Sequence, residues 1–114
     1  MASAKKSLDE EIVVLLERRY INQETAPLDY ATLLPQFPQA SEYAVARQVE
    51  ICEALFREIH EHLMAHRWEE FLPGQYDTDT FREYHAQLGK KYVLVDREAL
   101  KWLLHRMHHW LVDR

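Results

Sequence analysis

The sequence predicts an all-α protein, a single-domain bundle of four to five helices over residues 1–114. Three observations carry that expectation. Apolar residues recur at helical spacing through most of the chain. Two capping boxes, Ser7-Leu8-Asp9-Glu10 and Thr80-Phe81-Arg82-Glu83, mark helix starts. Only 2 Gly and 4 Pro are present, so long loops should be few.

Residues 1–6 read as a flexible tail. Ser7 then caps a first helix over about residues 8–21, with Leu8, Ile12, Leu15, Leu16 and Tyr20 on one stripe. Asp29 is the expected cap of a short helix through Leu33 or Leu34. Pro35 and Pro38 should interrupt the chain beyond it, because each lacks an N–H and disfavours a helical predecessor.

Ser41 caps the longest element, over about residues 41–72. Its stripe is Val45, Cys52, Leu55, Phe56, Ile59 and Leu63, and Pro73-Gly74 should end it. The Thr80 box opens a helix over about 80–88, with Gly89 expected as its left-handed stop. Residues 90–95, Lys-Lys-Tyr-Val-Leu-Val, form the only β-leaning run. A lone strand leaves its backbone unpaired, so this segment is expected to be an extended linker or to pair with a second copy. Asp96 caps the last helix.

That last helix carries two faces worth burying. Leu100, Leu103, Leu104, Met107 and Leu111 make one; Trp102, His105, His109 and Val112 make the other. A helix packed on one core needs a single stripe. The second must meet another part of the chain, another subunit or a ligand. Trp68 also falls opposite the stripe of its own helix. Large exposed aromatics favour interfaces, bringing area at little entropic cost. Trp102, His105, His109, Val112 and Trp68 are therefore the expected interface residues, with a homo-oligomer or another protein as partner.

The 7 histidines raise a metal alternative. His62/His66 and His105/His109 are each four apart and share a helix face. Two such pairs on facing helices would make a four-ligand site. The known patterns fail, however. A zincin helix needs His-Glu-x-x-His, and Leu63 stands where Glu should be. No His is preceded three residues earlier by Glu, as di-iron bundles require. His66 is expected at the core edge with a backbone partner and the others in water. No metal and no cofactor is assigned.

A helix-turn-helix can be threaded through residues 29–56, with Arg47 and Gln48 reaching for base edges. Against it, the recognition helix would carry Glu42, Glu50 and Glu53, and the whole chain has a net charge of -5. Nucleic acid is disfavoured on that ground. Catalysis has little support: no Gly-rich phosphate loop is present, and the lone Cys52 sits on an apolar stripe. No catalytic residue is assigned. One cysteine, no signal-like N-terminus and no apolar stretch of the ~20 residues a span needs suggest a cytoplasmic protein without a membrane.

The expected function is thus that of a small non-enzymatic cytoplasmic helical protein acting through protein–protein contact as a homodimer. A DNA-binding regulator and a metal-binding helical protein are the alternatives.

Overall fold

The computed structural model describes residues 7–23, 28, 30–66 and 79–111. The architecture is an all-α bundle. Four α-helices run Leu8–Ile21 (α1), Glu42–His66 (α2), Asp79–Lys91 (α3) and Arg97–Leu111 (α4), with a 3-10 helix over Tyr30–Gln36 between the first two.

The start of α1 is set by its capping residue. The Ser7 hydroxyl accepts from the Glu10 N–H at 3.2 Å, and Asp9, Glu10 and Glu11 place negative charge on the positive end of the helix dipole. Likewise Ser41 Oγ accepts from the Ala44 N–H at 3.0 Å to open α2, and Asp96 Oδ2 accepts from the Ala99 N–H at 3.3 Å to open α4.

Side-chain contacts fix the direction of each helix. Asp9 bonds Gln48 near the start of α2, while Arg19 pairs with Glu53 at 3.1 Å and Tyr20 lies against Phe56 further along. Asp9 also meets Asp96, and Glu17 pairs with Arg106. In both cases numbering rises together, so α1, α2 and α4 point the same way. Contacts of α2 with α3 and its adjoining turn run in reverse order: His62 stacks on Tyr84 at 3.8 Å, Glu58 bonds Lys91 and Tyr92, and Gln48 bonds the Leu94 carbonyl. Helix α3 is therefore antiparallel to the other three. Parallel neighbours demand a long return. A helix of 14 residues spans about 21 Å. Residues 22–41 make that return between α1 and α2, and Leu33 anchors it in the core at 1% exposure.

The core lies among all four helices. Ile12 and Leu16 of α1, Leu55, Ile59 and Leu63 of α2, Leu88 of α3 and Leu100, Leu103, Leu104 and Met107 of α4 are fully buried. Each such side chain contributes about 1.5–3 kcal/mol relative to leaving it in water. The predicted stripe of α2 and that of α4 from Leu100 to Met107 are the ones that meet the core; α1 adds Val13, which is buried, while Leu15 is only partly so.

At one end of the bundle, the like-directed N-terminal ends gather around Asp9. Its Oδ2 accepts from the Asp96 N–H at 2.6 Å, and its Oδ1 accepts from Gln48 Nε2 at 2.7 Å. Gln48 gives its second proton to the Leu94 carbonyl at 2.9 Å. One buried carboxylate thus joins α1, α2 and the α3–α4 turn, with its charge close to the dipole ends of α1 and α4. Cys52 Sγ lies 4.0 Å from the same carboxylate. Burial first, then the charges of Asp9 and Glu53, push its thiol far above the ordinary range, so it stays protonated and inert.

Four expectations change. Residues 90–95 form no extended segment: Lys90 and Lys91 are the last turn of α3, and the Tyr92 N–H still bonds the Leu88 carbonyl at 2.8 Å. The chain then turns, with Val95 N–H bonded to Tyr92 O at 3.1 Å. Tertiary context overrides β propensity here, since Glu58 holds both Lys91 and Tyr92. Gly89 is accordingly inside α3 and ends nothing. Helix α3 opens at Asp79, one residue before the expected start. Pro35 does not stop the 3-10 helix, which contains it and continues to Gln36. The expected cap Asp29, the stretch 67–72 and the Pro73-Gly74 stop lie outside the described residues, as does the tail 1–6.

Candidate functional site

Helix α4 packs against α1, α2 and α3. The three neighbours bury Ala99, Leu100, Leu103, Leu104, Met107 and also His108, which is fully enclosed. They do not reach the opposite face. There an open groove of about 430 Å³ runs between α1 and α4. Val13 and Val14 form one wall with Glu10; Glu98, Lys101, Trp102, His105 and Arg106 form the other.

The sequence of α4 dictates this arrangement. Glu98, Trp102, His105 and His109 succeed one another at three- and four-residue steps, so they stack on one side. Trp102 is half-buried and leans on the core edge, with the Arg106 guanidinium 5.6 Å from its ring centre. Glu17 of α1 pairs with the same guanidinium and holds it at the groove's rim. His105 is half-buried in the groove and His109 is exposed.

Glu10 and Glu98 stand at the end nearest the helix N-termini, His105 and Arg106 lie about two turns further on, and Val13, Val14, Lys101 and Trp102 lie between, with Arg106 already paired to Glu17. Turned end for end, the acidic end of one copy would face the His105 end of another.

Of the predicted interface residues, the structure brings Trp102 and His105 into the groove and leaves His109 beside it. Val112 and Trp68 lie outside the described residues. Sequence reasoning missed the α1 wall. Its signal was the Val13-Val14 doublet, which widens the apolar arc of α1 beyond the stripe from Leu8 to Tyr20.

The histidines are distributed differently from expectation. His108 is buried, not solvated. Its position lies a quarter-turn off the leucine stripe, on the flank next to Leu104. His62 is taken up by its stack on Tyr84, with ring planes 12° apart, and His60 sits 5.9 Å from Tyr20 at an edge. His105 and His109 are on the open face of α4. The side chain of His66 is outside the described set. Among the described residues no three His, Cys, Asp or Glu side chains are grouped to hold a metal ion.

On the threaded recognition helix, Gln48 is spent on Asp9 and Leu94, and Arg47 lies exposed beside Glu50 at 4.0 Å. The two side chains expected to reach base edges do not form a free basic pair. No described helix is long and apolar enough to cross a membrane.

Comparison with protein-family models, with curated proteins and with solved structures finds no match to this chain.

Proposed function

We propose that this is a small non-enzymatic, cytoplasmic helical protein that acts through protein–protein contact, and that two copies associate through the α1–α4 groove. The half-covered Trp102, with Val13 and Val14 across an open groove, supports this reading most directly. Turned antiparallel about a two-fold axis, Glu98 of one copy faces His105 of the other, and Trp102 meets its equivalent at the centre. Such an interface has an apolar aromatic middle and a charged rim. A reducing compartment fits the single, buried, protonated Cys52.

The test is a charge swap read by sedimentation equilibrium. His105→Glu places like charges together and should shift the dimer toward monomer. Glu98→Arg should do the same. Combined in one chain, the two changes restore opposite charges across the axis and should restore the dimer. Both side chains lie at the groove's rim, so the variants should keep their helical circular dichroism. A dimer indifferent to either single change would reject the groove as its interface.

A further inference from the structure

A second cleft lies on the other flank of α4, between the last turns of α3 and the first turn of α4. Its volume is about 250 Å³, and its walls include His85, Gly89, Lys90, Val95, Arg97 and Leu100. The chain as a whole is acidic, at -5. The cleft reverses that sign: both of its charged lining residues are cations, and Lys101, one turn beyond Arg97, is close enough to act on His85.

Some cations elsewhere in the bundle are neutralised locally, while Arg18 and Arg57 on the surface hold no carboxylate among the described residues. Arg19, Lys91 and Arg106 each hold a carboxylate. Lys90 and Arg97 hold none among the described residues. His85 lies in the wall of the cleft and feels its cations, since the charges of Lys101 and Arg97 both act on its ring. At the N-terminus of α4, Asp9 and Asp96 already take the N–H groups of Asp96 and Ala99.

Gly89 completes the picture. It stands in the interior of α3, where glycine weakens a helix relative to alanine. A Cβ placed on it meets nothing within 4 Å. The small residue keeps the wall of the cleft low where a longer side chain would fill it.

We infer that this cleft binds a small phosphomonoester, with Arg97 and Lys90 on the phosphate, the His85 ring in the wall beside them, and Val95 and Leu100 against the organic body. A guanidinium fork beside an ammonium suits the several oxygens and near-double charge of a phosphate better than a single carboxylate. Burial, then the charges of Lys101 and Arg97, lower the pKa of His85, and a bound dianion would offset those charges.

The probes are inorganic phosphate and phenyl phosphate, titrated at constant ionic strength into the full chain while the His85 ring signals are monitored by NMR. Saturable shifts are expected with both, and phenyl phosphate should bind the more tightly because of the apolar wall. The pair Arg97→Gln and Lys90→Gln should weaken binding about tenfold or more, as loss of charge-assisted hydrogen bonds implies. Gly89→Leu should block binding while leaving every charge in place. Arg18→Gln with Arg47→Gln, distant surface cations, should change nothing. Non-saturable shifts, or equal affinity in the Arg97/Lys90 variant, would overturn the site. Phenyl phosphate binding no better than phosphate would overturn the assignment to a phosphomonoester.

Discussion

The inner face of α4 meets three helices, whereas its outer face meets α1 along one edge only. The two faces do not sort by residue type. His108, a polar side chain, is fully buried on one flank of the inner face, and Trp102, the largest apolar side chain in the helix's middle, is left half-covered on the outer one. Position relative to neighbouring helices decides burial here, and hydrophobicity decides which positions can tolerate it. A face that is apolar enough to bury yet reached by one neighbour only is the face available for a second chain.

The largest expected effect contrasts the two faces directly. Leu104→Ala on the inner face should cost about 2–5 kcal/mol in urea unfolding, since a fully buried leucine leaves a cavity. His109→Ala on the outer face should change monomer stability by less than about 0.5 kcal/mol. Equal costs would mean that the outer face is as closed as the inner one.

Next comes the polar junction that aligns α4 with α1. Asp9→Ala strips partners from the Asp96 N–H and the Gln48 amide together, and should cost about 1–3 kcal/mol, the penalty for leaving part-buried donors unmade. Asp9→Asn keeps one acceptor and should cost less. If Asp9→Ala unfolds at the wild-type urea midpoint, the junction does not position the helix.

A smaller effect is expected on the α3 flank. Gly89→Ala should stabilise the fold by about 0.5–1 kcal/mol, because the helix accepts a methyl group into open space. Destabilisation would show that the wall is tighter than the geometry says. The pH dependence of His85 is the smallest signal. Its pKa is lowered from 6.5 by burial, Lys101 and Arg97, so the unfolded chain binds the proton more readily. Its contribution is therefore intact above 6.5 and is lost progressively as pH falls below that value. Replacing His85 by Gln should flatten that part of the stability–pH curve.

Much of this architecture is legible in the residues themselves. Ser7 and the apolar spacing after it predict α1 at both ends, and the leucine stripe of α4 is the face that enters the core. Local signals suffice there because a cap and a stripe are each encoded within one helix. The turn at 92–95 was illegible for the opposite reason. Its aromatic and branched residues favour a strand, and only Glu58, more than thirty positions away, reveals that Lys91 and Tyr92 stay with α3. The groove was half legible. Trp102 and His105 announce one wall from within α4, but the partner wall at Val13-Val14 depends on α1 running parallel to it, which the Asp9–Asp96 and Glu17–Arg106 contacts fix. The burial of His108, a polar side chain at the edge of the leucine stripe, had no local mark.

Whether two copies meet across the α1–α4 groove is decided by an intermolecular distance measurement. A nitroxide is attached at His109→Cys on unlabelled chain; the native thiol is buried and inert and should not react. This chain is mixed with an isotope-labelled, spin-free copy. Paramagnetic broadening of the labelled copy is expected at residues 10–14 and 98–106, and none at Val93 and Leu94, whose exposed side chains lie at the α3–α4 turn. Broadening centred on Val93 and Leu94, or no intermolecular broadening at high concentration, would contradict association through the groove.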